Sequence, residues 1–372
     1  MAELFRSFAS RLENGSLMPP AKERARRIQR RAPRDVSKIR IGDVARAAGV
    51  STATVSRALT FPDRVQAETR ERVLAAVRDL GYTPNTAARQ LRAGSSRTVL
   101  VVVGPRRNPP FFSEVLRGID VALSQAGYAV LMGNLDSIDG KEKYLVDLVF
   151  GGHIDGALVL ASTVPSHAGR TIADSGIPIV GVCAETDVPD IPAVVVDDEV
   201  CCRAQTRYLL DRGHRYLAYL AGPRGNYNER HRYAGFQAEI AAAGLGPDDF
   251  VRFEGSYDFA SGIASGKAFL ALERRPTGVV ATSDEMAIAF MTTIRRGGLR
   301  VPQDVSIVGF DGIELGDFIE PTLTTIRQPR FDLGSTGAKL LLQLMRGEAA
   351  PQRLTMLKGA LDERESAGPV KA

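Results

Sequence analysis

Thr52, Ala53, Ser56 and Arg57 recur at helical spacing and carry the side chains of this chain best suited to a defined chemistry, the reading of base edges. An arginine placed this way can donate two parallel hydrogen bonds to one guanine. No comparable set points to catalysis. The four histidines, His153, His167, His214 and His231, stand in unrelated contexts, and His214, after Arg212-Gly213, reads as a helix-end cap. Gly151-Gly152 and Gly297-Gly298 lack the lysine and the spacing of a phosphate loop. Asp197-Asp198-Glu199 would suit a metal, but its place after an apolar run and before a helical pattern fits a helix N-cap better. Cys183, Cys201 and Cys202 form neither a disulfide framework nor paired zinc ligands. With no nucleophile–base pair in view, the expectation is a protein that binds without catalysing, with no cofactor and no metal.

The DNA-reading positions need a frame, and the residues around them supply one. Ile41, Val44, Ala45 and Ala48 predict a short helix over Ile41–Ala48 with one apolar face. Gly49 can take the positive φ of a turn, and Ser51 can cap a second helix in which Val55, Ala58 and Leu59 face inward. Such a pair is a helix-turn-helix, and the outer face of its second helix enters a DNA major groove. Ser51 and Thr54, on the first turn, complete the candidate DNA-contacting set. Phe61-Pro62-Asp63 reads as a loop, and Thr69–Leu80 as a third helix with Val73, Val77 and Leu80 inward. Charge agrees with this division. The net charge is +5 over 372 residues, but residues 1–97 carry +11 and the rest −6. A basic head on a mildly acidic body calls for a polyanion at the head alone.

From Thr98 the pattern changes to short apolar runs: Thr98–Val103, Tyr128–Met132, Gly156–Leu160, Ile179–Val182, Val194–Val196, Leu217–Leu220, Gly278–Ala281 and Ser306–Phe310. Amphipathic helices lie between most of them, at Glu114–Gln125, Tyr144–Phe150, Gln205–Arg212 and Ala234–Ala243. Alternating β and α units with buried strands predict doubly wound parallel sheets, and the span is long enough for two lobes. Ligands of such sheets sit beyond the carboxyl ends of the strands. That places Phe111 and Phe112, Ser162, Ser283 and Asp284, and Asp311 at a candidate small-molecule site. No apolar run approaches the roughly 20 residues of a membrane span, so a reduced, cytoplasmic protein with no membrane partner is expected.

Asp43-Val44-Ala45, Ala48-Gly49-Val50-Ser51 and Thr54-Val55-Ser56-Arg57 resemble, at matching spacing, the head of the lactose-repressor family of bacterial transcription regulators. Val50–Leu59 with Pro62-Asp63, then Ser96-Arg97-Thr98 and Phe111-Phe112-Ser113-Glu114, are most similar to its cytidine-repressor branch. Residues 1–37 carry charge, Pro19-Pro20 and Pro33 and little to bury, which predicts a basic, disordered extension where six arginines between Arg24 and Arg34 add phosphate attraction. The resemblance implies a DNA-binding head at 38–82 and a hinge helix and linker at 83–97. In that hinge Asn85, Ala88 and Leu91 meet the minor groove, with Leu91 wedged between base steps. Residues 98–366 would form a two-lobed body like that of periplasmic sugar-binding proteins, with a tail at 367–372. The lobes would divide near Asp198, the chain crossing back near Ile326 and again later. Arg212-Gly213-His214-Arg215, Ala221-Gly222-Pro223 and Leu323–Pro329 match family signatures in place. By the same resemblance Arg232 grips the ligand, Asp311 binds its hydroxyls and Tyr257 stacks on it. Two positions depart from the pattern: Arg40 and Gln66 stand where a Thr and a Ser usually cap helices, each loss costing about 1 kcal/mol. The reading is therefore a repressor, dimeric or tetrameric, on a pseudo-palindromic operator and controlled by a nucleoside or sugar. Its rivals are a solute-binding protein and a nucleoside- or sugar-processing enzyme.

Overall fold

A computed structural model of the protein describes residues 39–82, 95–104, 110–135 and 140–370. The basic extension and the hinge positions Asn85, Ala88 and Leu91 lie outside these residues. The chain divides into two compact units, residues 1–89 and 90–372. Among the described residues no helix is long and apolar enough to cross a membrane.

The first unit is built from α1 (Ile41–Ala48), α2 (Thr52–Thr60) and α3 (Ala67–Leu80). Val44, Ala45, Ala48, Val55, Ala58, Val73 and Ala76 make a small apolar core, flanked by half-buried Ile41, Leu59, Val77 and Leu80. Gly49 ends α1 at φ 65° and its N–H satisfies the last carbonyls of that helix, the left-handed stop that glycine takes without strain. Ser51 opens α2, its Oγ accepting from Thr54 N at 3.1 Å. Two helices start less well. Neither Arg40 before α1 nor Gln66 before α3 supplies a side-chain cap. In α1 Asp43 compensates in part, its Oδ2 accepting from the Arg40 N–H at 2.8 Å.

The second unit is two six-stranded sheets, each wrapped by helices. The first lobe contains β1 (Thr98–Val103), α4 (Pro110–Gln125), β2 (Ala129–Asn134), α5 (Lys141–Phe150), β3 (Gly156–Leu160), the small β4–β5 hairpin (Ser166–His167, Arg170–Thr171), β6 (Ile179–Val182) and β7 (Ala193–Val196). The chain then enters the second lobe: α6 (Asp198–Asp211), β8 (Leu217–Leu220), α7 (Tyr227–Ala242), β9 (Phe250–Phe253), α8 (Phe259–Leu270), β10 (Gly278–Ala281), α9 (Asp284–Arg296), β11 (Ser306–Asp311) and β12 (Thr324–Arg327). It returns for α10 (Arg330–Met345) and β13 (Leu354–Leu357), and crosses once more to β14 (Ala360–Asp362). Strand order is β13-β7-β6-β3-β1-β2 in one lobe and β14-β12-β11-β10-β8-β9 in the other. Every ladder in the two sheets is parallel except β12–β14. Strands covered by helices on both faces must be apolar throughout, and β3, β6, β7, β8, β10 and β11 are buried at every residue. Within the two six-stranded sheets, the strands that the apolar-run pattern did not pick out are β9, β12, β13 and β14. Of these, β9 and β14 are sheet edges and β13 is the other lobe's edge, partly exposed and so less apolar.

One expectation is corrected here. His214 is not a helix cap. Its ring is buried, Nδ1 meeting Thr277 Oγ1 at 2.9 Å and Nε2 the Gly368 carbonyl at 3.0 Å. It pins the end of the chain to the second lobe, where Ala367 is also buried and Val370 N donates to Arg212 O.

Candidate functional site

The head offers one clear contact face. Thr52, Ala53 and Arg57 are exposed on α2, as is Ser51, while Thr54 and Ser56 are half-buried. The Ser51 and Thr54 hydroxyls bond each other at 2.9 Å, so these two shape the first turn. Arg57 makes no ion pair or hydrogen bond among the described residues. In contrast Arg46 is paired with Asp43 and Arg64 lies over the Phe61 ring. An uncommitted guanidinium on an exposed recognition helix is free to meet a base edge.

In the second unit a polar cluster gathers at the carboxyl ends of the strands, assembled from both lobes. Arg232, on α7, is buried. Its Nε donates to Asp198 Oδ1 at 2.7 Å and its Nη1 to the Thr282 carbonyl at 2.5 Å, with Asp311 Oδ1 3.9 Å from Nη1. The guanidinium carbon lies 3.7 Å from the centre of the Phe310 ring and 5.4 Å from that of Tyr257. Burial works against its charge, but Asp198, Tyr257 and Asp311 more than reverse that and hold it protonated. Asp311, the last residue of β11, takes φ 128° and accepts from Gln328 Nε2 at 2.8 Å. Burial pushes its carboxyl well up and the nearby Asp284 adds to this, against the pull of Arg232. Tyr257 sits at φ 60°, its ring so close to Gly222 that a Cβ there would fall 2.1 Å from Cζ. Only glycine at 222 leaves room for the tyrosine.

The first lobe reaches this cluster through Cys183, just past β6. Its carbonyl accepts from Asn228 Nδ2 at 2.7 Å, and the same amide donates to Asp198 Oδ2 at 2.8 Å. Burial pushes the Cys183 thiol up, with Asp198 and Asp311 adding to the effect, which disfavours the thiolate there. Phe111 and Phe112 open α4, half-buried and edge-to-face at 5.1 Å. Phe111 packs against the apolar clusters of both lobes. Ser162 follows β3, its Oγ buried and without a hydrogen-bond partner. Neither Phe111 nor Ser162 reaches Arg232 through a hydrogen bond or ring contact.

Two of the expected site residues also carry structural bonds. Ser283 caps α9, its Oγ accepting from Met286 N at 3.3 Å. Asp284 is fully buried, Oδ1 accepting from the Thr325 hydroxyl at 2.6 Å and Oδ2 from Ile313 N at 2.9 Å. The Ser283 oxygen holds the first turn of α9, and the Asp284 carboxylate holds the turn after β11. Conversely, Asp198 and Gln328 were not picked out as site residues. Asp197 is the helix cap, accepting from Val200 N at 3.0 Å. The tandem acid was the available signal, since one carboxylate suffices for a cap and the second was left over.

The head matches the family model described as bacterial regulatory proteins, lacI family, over residues 40–85, and the body matches a periplasmic binding protein-like domain over residues 206–367. The chain is 38% identical over 306 residues to the HTH-type transcriptional repressor CytR of Escherichia coli (strain K12), covering 82% of this chain and 89% of the relative. A Lac repressor dimer bound to operator and an anti-inducer superposes with a TM-score of 0.79 at 28% identity, covering 89% of this chain and 99% of that one. A LacI family regulator from Enterococcus faecium with bound ribose gives 0.67 at 28% identity, over 74% of this chain and 100% of that one. These relatives are repressors and not enzymes, which leaves the solute-binding and enzymatic rivals unsupported. With a helix-turn-helix head, a two-lobed body and similarity along most of its length to such repressors, the chain belongs to the lacI family of bacterial regulatory proteins, DNA-binding transcription regulators that answer to small molecules.

Proposed function

We propose that this regulator reads its operator through Thr52, Ala53 and Arg57 and senses a neutral, hydroxyl-bearing ring, a nucleoside or a sugar, held between its lobes. The observation that carries the effector reading is the Arg232–Asp311 pair, a donor fork and a carboxylate within 4 Å of each other, floored by Phe310 and Tyr257. Neighbouring hydroxyls satisfy such a pair. Asp198 already pairs with Arg232 at 2.7 Å, which leaves no spare cation for an anion. Phe111 and Phe112 supply flat apolar faces from the other lobe. The Ser162 hydroxyl, buried and unpaired, is left for the ligand, because an unmade buried hydrogen bond is costly. The similarity to CytR and to a ribose-bound regulator supports both members of this class.

The active unit is a homodimer in the cytoplasm, where its DNA partner lies. Two α2 helices then meet two half-sites of a pseudo-palindrome, and the hinge residues Asn85, Ala88 and Leu91 work at its centre. An apolar groove of about 640 Å³ lined by Phe259, Ile263 and Ile288, together with Phe318 at 84% exposure, supports self-association through the second lobe. The test is a randomised-site selection with the full chain, followed by calorimetry with cytidine and with ribose. Arg57→Ala should flatten the preference at one base pair per half-site, a discrimination of about 1–3 kcal/mol. An unchanged preference removes Arg57 from base reading, and calorimetry silent for both probes removes this ligand class.

A further inference from the structure

The segment that joins the DNA-binding head to the cleft-bearing unit leads into β1 through Ser95-Ser96-Arg97. One side chain receives all three residues. Asp155, in the turn before β3, accepts from Ser96 N at 2.7 Å, from Arg97 N at 2.9 Å and from the Ser95 hydroxyl. Successive backbone N–H groups turned toward one anion form a nest, which requires a residue in the left-handed region. Arg97 is that residue, at φ 50°. The Arg97 guanidinium lies over the Tyr128 ring at 5.1 Å, its carbonyl accepts from Ala129 N, and Asp155 N donates to Thr98 O. Burial raises the Asp155 carboxyl, yet the donors from Ser95, Ser96 and Arg97 bring it below the ordinary range, so the anion is stabilised where it stands.

The position gives the contact its meaning. The nest lies at the amino ends of β1 and β3, which pair in register from Val99↔Gly156 to Val103↔Leu160. Both strands are buried almost end to end. Their carboxyl ends lead to Phe111 and Ser162. Two packed strands of this length form a stiff strut of roughly 17 Å. A displacement of the cleft wall therefore moves Asp155, and Asp155 moves the last three residues of the linker.

We propose that Asp155 is the positioning residue that fixes the linker's entry into the body and so lets the effector's state reach the head. This rests on the reading that the head binds operator under control of the cleft. Without the carboxylate, residues 95–97 lose three charge-assisted bonds. The ordering they supplied would then have to be made good each time both heads engage an operator.

The experiment uses the full chain as wild type, Asp155→Ala, Asp155→Asn and Ser95→Ala. Trypsin cleavage after Arg97 is timed without DNA, with cleavage after exposed Arg274 as internal reference. Affinity is measured for the duplex recovered by randomised-site selection and for a random duplex. Asp155→Ala should speed cleavage after Arg97 by about tenfold or more while sparing Arg274, and weaken binding to the selected duplex by about tenfold, with binding to the random duplex unchanged. Asp155→Asn, whose amide turns a donor toward donors, should behave alike, and Ser95→Ala should fall between. Unchanged cleavage after Arg97, or wild-type affinity for the selected duplex, in Asp155→Ala overturns the proposal. Should both Asp155 variants misfold, wild-type behaviour of Ser95→Ala in both assays overturns it. A wild-type protein that enriches no sequence sinks the operator reading and this inference together, whereas equal affinities sink this inference alone.

Discussion

Replacing Arg232 by alanine should cost more than a ligand contact. The side chain is 6% exposed and its partner Asp198 only 2%. Removing the guanidinium strips Asp198 of its 2.7 Å ion pair, leaves the Thr282 carbonyl without that donor and takes a cation off the Phe310 ring. Breaking a buried pair by deleting one member typically costs about 3–5 kcal/mol, because the survivor is a buried charge without compensation. Asn228 Nδ2, at 2.8 Å from Asp198, offsets only part of that. In a body of this size the loss corresponds to a fall in Tm of about 10 °C. Urea denaturation of Arg232→Ala, Asp198→Asn and the double variant separates the contributions. The double variant should recover about 1–3 kcal/mol relative to the sum of the singles. Arg232→Lys, which keeps the charge but not the fork, should lie between. A cost below about 1 kcal/mol for Arg232→Ala, or a double variant no better than additive, would refute the view that the site arginine is also a structural counter-ion. The practical consequence is that loss of effector response in Arg232→Ala must be read beside its stability.

Three further outcomes are expected. Arg40→Thr and Gln66→Ser restore the missing caps of α1 and α3, and each should raise the head's stability by about 1 kcal/mol, seen as slower hydrogen exchange at Val44, Val55 and Val73 in the full chain. Glu229 is buried against Gly222 N at 2.6 Å and Arg252 at 3.2 Å, and burial, opposed by these partners, pushes its carboxyl up to about 7. A folded value above the unfolded one means stability that is full below about 4.5 and lost as pH rises through 7, on the order of 2–3 kcal/mol. Glu229→Gln should abolish that slope in denaturation curves, and a parallel slope in the variant would reject the assignment. Ile263→Glu combined with Phe318→Glu should turn the dimer into monomers by sedimentation with the fold intact, and an unchanged sedimentation coefficient would move the interface elsewhere.

Much of the architecture could be read locally because its causes are local. The helix-turn-helix rests on a glycine that must turn, a serine that must cap and an apolar face at helical spacing, all within Ile41–Leu59. The central strands announce themselves because burial on both faces leaves no room for polar residues. The edge strands β9, β13 and β14 have one side open to water and lose that signature. Site residues followed the same division. Arg232 and Asp311 were singled out through family motifs, but their partners are set by pairings across the fold. Asp198 lies 34 residues from Arg232, and Asp155 is 59 from Ser96. A lone aspartate before a strand carries no local mark of the segment it will hold. Ser283 and Asp284 stand just past the carboxyl end of β10, and their side chains also hold the start of α9 and the turn after β11.

The chain passes between its lobes at three places, after β7, after β12 and after β13. Asp198 begins α6 directly after the first crossing, and Gln328 follows β12 directly before the second. Both bond the Arg232–Asp311 pair. Asn228 then ties Asp198 to Cys183 of the other lobe, and Arg330, opening α10, donates to Gly312 O in one lobe and to Pro110 O in the other. The polar groups that would meet a ligand are therefore those that brace the crossings. A ligand hydroxyl that takes Asp311 from Gln328, or draws Asn228 away from Cys183, changes the hinge bonds themselves, with no intervening relay. Such a ligand has different contacts in the open and closed arrangements by construction, and that difference is the only source from which binding can shift an equilibrium. On the proposed reading the site and the hinge are one set of residues, which would give a small molecule held there leverage over the relative position of the two lobes.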